Sequence, residues 1–189
     1  TRPDVIMPYH IILGVTGSIA AYKAVEVVSS LIKQGKRVTV IMTSTAQRFV
    51  NPVTFRSISQ NRVVTDLFID TENYDPNHVS LADKADLLVV APATANFIGK
   101  VVSGIADDAL TCTVMAARSP VIIAPAMNDS MYLNPIVQEN IKKLTKFGYR
   151  IIEPEEGRLC TGRIGMGRLA AVEKIVGVIE EELNKKGNK

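Results

Sequence analysis

The chain has 189 residues, of which 47% are hydrophobic and 22% are charged, and its formal net charge is +3. These values predict one globular domain with a substantial core, and the scattered lysines and arginines argue against a nucleic-acid-binding protein. No apolar run approaches the roughly 20 residues that span a bilayer, and two cysteines, Cys112 and Cys160, are too few for a disulfide framework. We therefore expect a cytoplasmic protein that binds neither nucleic acid nor membrane.

The two ends of the chain carry no structural pattern. Met7 would make a natural start, so we expect residues 1–6 to be an expression remnant or a disordered tail. Residues 185–189 are polar and are expected to be a frayed, solvated tail. One domain is therefore predicted over residues 7–184.

Apolar runs alternate with helical patterns along this domain. The expected strands are residues 10–15, 37–42, 86–91, 121–124 and 148–153. The expected helices are residues 18–33, 46–50 and 53–60, stretches between 95 and 118, and residues 134–147 and 172–183. Near-continuous apolar strands separated by helices are typical of a parallel sheet covered on both faces. The sequence therefore predicts a single-domain α/β fold, Rossmann-like (flavodoxin-like) in its arrangement.

A glycine turn joins the first expected strand to its helix. Residues 14–19 read Gly-Val-Thr-Gly-Ser-Ile, and glycine lets a backbone approach an anion closely at a helix N-terminus. The pattern completes neither a G-x-G-x-x-G fingerprint nor a Walker loop, so a tight turn without a ligand is the alternative. Thr43, Ser44 and Thr45 follow the second strand, and their hydroxyls favour either a phosphate or ribityl contact or a helix N-cap.

The chain contains two histidines, His10 and His78. His78 follows a polar loop, and a histidine at a cleft can act as an acid or a base near neutral pH. A surface or helix-capping histidine is the alternative. His10, at the start of the first strand, is expected to be structural, and Cys112 is expected to pack as a small hydrophobic residue.

Two strand ends share one design. Residues 91–96, Ala-Pro-Ala-Thr-Ala-Asn, and residues 125–131, Pro-Ala-Met-Asn-Asp-Ser-Met, each follow an apolar run. Open α/β sheets place ligands at the carboxyl ends of their strands, so we expect these segments to form two sides of one pocket. Asn128 could orient a carboxylate or an amide there, or bond its own backbone in a turn. Met127 and Met131 could serve packing or cover a planar ring.

Residues 155–167 are rich in glycine, and we expect a mobile lid that is neither helix nor strand. Cys160 lies in this segment near Arg158, Arg163 and Arg168, whose charges would lower the pKa of its thiol. An ordinary surface loop with an incidental cysteine is the alternative.

Together these motifs resemble those of the flavin-containing cysteine decarboxylases, in particular the phosphopantothenoylcysteine decarboxylases of coenzyme A synthesis. The resemblance covers residues 7 to about 181 and rests on residues 17–23, His78, and residues 91–96, 104–108 and 125–131. It implies FMN as the cofactor and no metal. The residues that it assigns to FMN are Gly17, Ser18, Ile19, Thr43, Thr45, Thr94, Ala95, Asn96, Phe97 and Ala126.

The resemblance also implies a reaction that converts 4′-phosphopantothenoylcysteine to 4′-phosphopantetheine. Flavin would oxidise the carbon bearing sulfur to a thioaldehyde, CO2 would leave, and the ene-thiolate would be reduced again. His78 would be the catalytic base, Cys160 the proton donor, and Asn128 the group that binds the substrate carboxylate or amide. The other residues expected at the substrate are Met131, Arg158 and Arg163.

One position departs from the family pattern. Members that complete the reduction usually have the cysteine directly before a glycine, whereas Thr161 separates Cys160 from Gly162 here. One residue can turn a side chain to the opposite side of an extended backbone, so the product could stop at the ene-thiol. Two alternative functions are a decarboxylase of peptides that end in cysteine and a flavin-binding regulatory subunit without turnover.

Family members assemble as trimers, or as dodecamers of four trimers, with flavin at the subunit boundary. In many bacteria the domain is fused to a C-terminal ligase that makes the same substrate. We therefore expect a homotrimer or homododecamer that acts on a small molecule. The chain is expected to be either a stand-alone enzyme or one domain of a fusion with phosphopantothenoylcysteine ligase.

Overall fold

The fold is built on a six-stranded parallel sheet with the strand order β3-β2-β1-β4-β5-β6. The computed structural model describes residues 8–67, 77–158 and 162–187, without the side chains of residues 77, 78 and 187. The strands of this sheet are β1 (His10–Val15), β2 (Arg37–Met42), β3 (Val63–Val64), β4 (Leu87–Ala93), β5 (Val121–Pro125) and β6 (Arg150–Ile151). The prediction of a single-domain α/β fold with a parallel sheet is confirmed.

Helices connect these strands. They are α1 (Ala21–Lys33), α2 (Pro52–Ser59), α3 (Asn77–Lys84), α4 (Ala95–Val102), α5 (Ala109–Ala116), α6 (Asp129–Tyr132), α7 (Pro135–Lys146) and α8 (Val172–Gly187), with a 3-10 turn at Ala46–Arg48. No helix in the described part of the chain is both long and apolar enough to cross a membrane.

The direction of the chain across the sheet reverses between β1 and β4. From β1 the chain passes outward to β2 and β3, and it then returns so that β4 pairs with the other side of β1. The connections on the two sides of this point diverge and leave a crevice at the carboxyl ends of the strands. The topology therefore places the candidate site where β1, β4 and β5 end.

The core lies on both faces of the sheet, because side chains alternate along each buried strand. On one face, Ile11 and Leu13 of β1 belong to a cluster that includes Leu31 of α1 and Ile179 of α8. On the other face, Ile12 belongs to a cluster with apolar residues of α4, α5 and α7. All five of these side chains are fully buried, so the sheet is fixed from both sides.

Helix α1 begins at Ala21, three residues later than predicted. The chain first makes a turn in which the N–H of Ala21 donates to the carbonyl of Ser18 at 2.9 Å. Helix α7 begins with Pro135 after Asn134, whose side chain accepts a hydrogen bond from the N–H of Ile136 at 2.9 Å. Such N-caps satisfy donors that a helix leaves open at its start.

The glycine-rich segment contains two strands, which corrects the prediction that it has none. β7 (Glu155–Arg158) pairs in antiparallel fashion with β8 (Ile164–Arg168), and Gly157 lies opposite Gly165. A Cβ atom at Gly165 would lie 2.8 Å from the Cβ of Asp129 in α6. The glycine at this position is therefore explained by close packing against α6 rather than by the absence of secondary structure.

Candidate functional site

A cleft of about 940 Å³ opens at the carboxyl ends of β1, β2, β4 and β5. Residues from four segments line it: 16–20 with 22 and 23, 43–45, 94–97, and 126–128 with 131, together with part of the β7–β8 hairpin. Binding sites for cofactors and drug-sized ligands usually occupy about 300–1,000 Å³, so this cleft has room for a large ligand.

The hydroxyl of Thr16 joins the ends of β1 and β4. Its Oγ1 donates to the carbonyl of Pro92 at 2.7 Å and accepts a hydrogen bond from the N–H of Thr94 at 3.0 Å. The hydroxyl is buried, so both bonds are protected from water. Thr16 thus fixes the glycine turn after β1 against the segment that opens α4.

The glycine turn lies against Thr45. A Cβ atom at Gly17 would lie 2.4 Å from the Cγ2 atom of Thr45 and 2.6 Å from its Cβ. Only glycine brings the two loops this close, and the result is a narrow cradle of backbone and hydroxyl groups that includes Ser18 and Ile19.

The hydroxyls around this cradle differ in the hydrogen bonds that they make within the protein. Ser18 Oγ accepts a hydrogen bond from the N–H of Ala20 at 3.2 Å, and Thr43 Oγ1 accepts one from the N–H of Ala46 at 3.2 Å. Each of these hydroxyls can still donate a hydrogen bond to an anion in the cleft. Thr45 makes no capping hydrogen bond and is exposed.

The start of α4 forms one side of the cleft. Thr94, Ala95, Asn96 and Phe97 all line it, and Thr94 Oγ1 caps the helix by accepting a hydrogen bond from the N–H of Phe97 at 3.3 Å. Phe97 is buried beneath this turn, whereas Asn96 is exposed.

The segment after β5 forms another side of the cleft. The N–H of Ala126 donates to the carbonyl of Ala93 at 3.0 Å, so the ends of β4 and β5 are directly bonded. Ala126, Met127, Asn128 and Met131 line the cleft. The prediction that the two similar strand ends form two sides of one pocket is therefore confirmed.

Asn128 combines the two roles that the sequence left open. Its Oδ1 atom accepts a hydrogen bond from the N–H of Ser130 at 3.0 Å and begins α6, and the residue also lines the cleft. Within the described residues its Nδ2 group makes no hydrogen bond. The amide nitrogen can therefore donate to a carboxylate or a carbonyl oxygen.

The β7–β8 hairpin is joined to this side of the cleft. The N–H of Met127 donates to the carbonyl of Gly167 at 2.9 Å. Gly167 has a φ of 135°, and a Cβ atom there would lie 2.2 Å from the carbonyl oxygen of Met127. All three arginines of the hairpin are exposed, and Arg158 and Arg168 line the cleft whereas Arg163 does not.

Two expected catalytic residues cannot be placed at atomic detail. His78 lies in the first turn of α3, and its side chain is outside the description. Cys160 and Thr161 lie outside the described residues, between β7 and β8. The roles expected for His78 and Cys160 stay predictions.

The other histidine and cysteine take structural positions. His10 is 6% exposed, and its Nε2 lies 2.8 Å from the hydroxyl of Thr39. The Cys112 thiol donates to the carbonyl of Ala106 at 3.3 Å, and burial, followed by the nearby Asp108, raises its pKa. A thiol with a raised pKa is a poor nucleophile at neutral pH.

Several cleft residues were not expected from the sequence. Tyr22, Lys23, Phe49 and Lys100 all line it. Lys23 follows Ile19 by four residues, and residues four apart lie on the same side of a helix. Because Ile19 was expected at the cleft, this spacing could have indicated that Lys23 lies there too. Among residues 8–67, 77–158 and 162–187, no three metal-ligating side chains are placed to hold a metal ion.

Comparison with known proteins identifies the family. A family model described as Flavoprotein matches residues 3–184. The chain belongs to the flavoprotein family. A coenzyme A biosynthesis bifunctional protein CoaBC from Borreliella burgdorferi is 46% identical to this flavoprotein over 177 residues, which are 94% of this chain and 45% of the relative.

Two further relatives are matched over nearly their whole length. A probable phosphopantothenoylcysteine decarboxylase from Streptococcus mutans is 42% identical over 179 residues, covering 94% of this flavoprotein and all of the relative. The crystal structure of the FMN-dependent cysteine decarboxylase SpaF superposes with a TM-score of 0.83 and 35% identity, covering 95% of this chain and 97% of SpaF. The chain spans less than half the length of the bifunctional relative.

Proposed function

We propose that this flavoprotein uses FMN to decarboxylate 4′-phosphopantothenoylcysteine to 4′-phosphopantetheine. The observation that carries the proposal is the meeting of three segments at one cleft: the turn at Gly17, the start of α4 at Thr94, and the loop at Asn128. Relatives described as phosphopantothenoylcysteine decarboxylase and as an FMN-dependent cysteine decarboxylase support the same reaction class.

The cleft fits FMN. The close contact of Gly17 with Thr45 makes a narrow cradle with the donors of Ser18 and Thr43 at its edge, which suits a phosphate group. We assign the phosphate and ribityl chain of FMN to Gly17, Ser18, Ile19, Thr43 and Thr45. The apolar and amide groups at the start of α4 and after β5 suit a planar ring. The residues assigned to the ring of FMN are Thr94, Ala95, Asn96, Phe97 and Ala126.

FMN, when bound, supplies the hydride acceptor and donor that decarboxylation of an unactivated cysteine needs. The chain supplies the groups that orient the substrate. The free Nδ2 of Asn128 donates to the substrate carboxylate or to the neighbouring amide, while its Oδ1 holds the start of α6. Because the capping bond fixes the side chain, the donor is positioned before the substrate arrives.

Proton transfer is assigned to two further groups. His78, at the first turn of α3, is the proposed base. Cys160, between β7 and β8, is the proposed donor that returns a proton to the product. The bond between Met127 and Gly167 fixes the end of β8 to the proposed substrate loop.

The rim of the cleft supports self-association as a trimer or dodecamer. Ile19 and Tyr22 are 61% and 55% exposed, and Phe49 is 47% exposed, so three large apolar side chains lie beside the proposed cofactor site. A second subunit that covers them would also exclude water from FMN. We also propose a cytoplasmic location and, in a longer form of the chain, fusion to a phosphopantothenoylcysteine ligase.

A peptide that ends in cysteine is the second candidate substrate, since the similar protein SpaF is described only as an FMN-dependent cysteine decarboxylase. The two candidates differ in chemistry at the far end of the substrate. One carries a phosphate, which needs cations, and the other carries a peptide backbone, which needs paired donors and acceptors. Lys23, Arg158 and Arg168 in the cleft favour the phosphorylated substrate.

The proposal is tested by CO2 release from the FMN-loaded protein with each substrate. We expect release from 4′-phosphopantothenoylcysteine and little from a peptide ending in cysteine. Preference for the peptide would select the second candidate. Absence of release from both, in protein that retains FMN, would contradict an enzymatic role and favour a flavin-binding regulatory subunit.

A further inference from the structure

Three cations line the cleft without a salt bridge to a carboxylate among the described residues, namely Lys23, Arg158 and Arg168. Lys23 lies on α1 and Arg168 on β8, and neither forms a salt bridge with a carboxylate of the residues that the structure describes. Lys100, which also lines the cleft, is different, because its Nζ lies 2.8 Å from Asp107 and 3.9 Å from Asp108. The charge of Lys100 is already balanced, whereas the charges of Lys23 and Arg168 remain available.

Lys23 and Arg168 are close enough for the charge of Arg168 to change the pKa of Lys23. Burial lowers the pKa of Lys23, and the positive charge of Arg168 lowers it further. Glu155, Glu26 and Glu173 act in the opposite direction and raise this pKa, and Oε1 of Glu155 also accepts a hydrogen bond from the N–H of Ala171 at 3.1 Å. Lys23 is half-buried and Arg168 is exposed, and an anion that binds between them would relieve the repulsion of their like charges.

The side chain of Arg168 lies against the backbone of Gly157. A Cβ atom at Gly157 would lie 2.9 Å from Cδ of Arg168 and 3.1 Å from its Nη1. The missing side chain at Gly157 therefore leaves the space in which the Arg168 side chain crosses the hairpin. The next residue of β7, Arg158, also lines the cleft and adds positive charge at the same end.

We propose that Lys23 and Arg168 together bind a phosphomonoester dianion. An arginine fork and a lysine point charge are a suitable pair for this group, since each can donate charge-assisted hydrogen bonds to different phosphate oxygens. The dianion could be the phosphate of FMN or the phosphate of the substrate. Because the Gly17 cradle is assigned to FMN, Lys23 and Arg168 are assigned to the substrate phosphate, and this assignment rests on the proposed function.

The test compares 4′-phosphopantothenoylcysteine with unphosphorylated pantothenoylcysteine. For Lys23→Gln and Arg168→Gln we expect kcat/KM to fall about 10- to 100-fold with the phosphorylated substrate and less than about 2-fold with the other. Gly157→Ala, which displaces the Arg168 side chain, should give the same selective loss. Lys33→Gln and Arg56→Gln are matched controls, because both residues are exposed and lie away from the cleft.

Each other outcome is decisive. Equal losses with both substrates would overturn the assignment and make the two cations general supports of the site. Weaker binding of FMN with unchanged binding of riboflavin would assign them to the cofactor phosphate instead. If the wild-type protein decarboxylated neither substrate, the proposed function would fail and the assignment would fall with it.

Discussion

Asn128 and Ser130 are joined by a hydrogen bond of 3.0 Å from the Ser130 N–H to the Asn128 side-chain oxygen. The oxygen of the Asn128 amide is used in this bond, which begins α6. The amide nitrogen makes no hydrogen bond within the described residues, and Asn128 lines the cleft. A substitution can therefore remove the N–H donor of the amide and keep the oxygen that caps α6. Aspartate is suitable, because it also accepts a capping hydrogen bond but cannot donate one when ionised.

We predict that Asn128→Asp folds normally but loses activity. The new carboxylate would remove the donor and repel the substrate carboxylate, so kcat/KM for decarboxylation should fall about 100-fold or more. Asn134→Asp is the matched control, since Asn134 caps α7 in the same way and does not line the cleft. Steady-state kinetics and melting temperatures of both variants check this, and an active Asn128→Asp enzyme would remove the amide donor from the account.

The contact between Gly17 and Thr45 predicts a specific loss of FMN. In Gly17→Ala the added Cβ would meet Thr45 at 2.4 Å and push the two loops apart, so FMN should bind about 10-fold or more weakly. Flavin fluorescence titration measures this. Gly177→Ala is the control, because a Cβ in that part of α8 meets nothing within 4 Å. It should stabilise the protein by about 0.5–1 kcal/mol and leave FMN affinity unchanged.

The role of His78 predicts a separation of binding from chemistry. His78→Asn should keep FMN, because no flavin contact is assigned to this residue, but decarboxylation should slow by about 100- to 10,000-fold. The flavin absorption spectrum and the rate of CO2 release give the two readings. Unchanged turnover would exclude His78 as the base.

His10 predicts a dependence of stability on pH. Burial, followed by the charge of Arg37, lowers the pKa of His10 below its ordinary value of 6.5. The folded protein therefore keeps the ring neutral at a pH where the unfolded chain binds a proton. The stabilisation is present above about pH 6.5 and is lost as the pH falls below it towards the folded pKa.

Urea unfolding of wild type and His10→Gln at pH 7 and pH 5 measures this effect. The wild-type protein should lose more stability than the variant between the two values. His78→Asn is a suitable control, because it keeps His10 and should keep the additional loss. Equal losses in wild type and His10→Gln would contradict the prediction.

The central strands were predictable because they are buried on both faces. Residues 10–15 and 37–42 are near-continuous apolar runs, and β1 and β2 occupy these same bounds. The edge strands β3 and β6 have two residues each, which is too short for a pattern, and the prediction missed the first and lengthened the second. Their ends are set by pairing with neighbours that lie far away in the sequence.

The candidate site was predictable where its residues follow buried strands. Thr94 and Asn128 were expected at the cleft, and they line it. Lys23 and Arg168 were harder to connect, because they lie on α1 and β8, far apart in the sequence. The hairpin itself was missed because glycine weakens the strand signal, whereas here Gly165 and Gly167 are required by close contact with α6 and the Met127 carbonyl.

Decarboxylation by this flavoprotein is measured by anaerobic incubation of the FMN-loaded protein with 4′-phosphopantothenoylcysteine, followed by mass spectrometry of the product. We expect a saturated thiol that is lighter than the substrate by one CO2. A product lighter by two further hydrogens would keep the decarboxylase but show that Cys160 does not deliver its proton. Recovery of unchanged substrate from flavin-loaded protein would contradict the account.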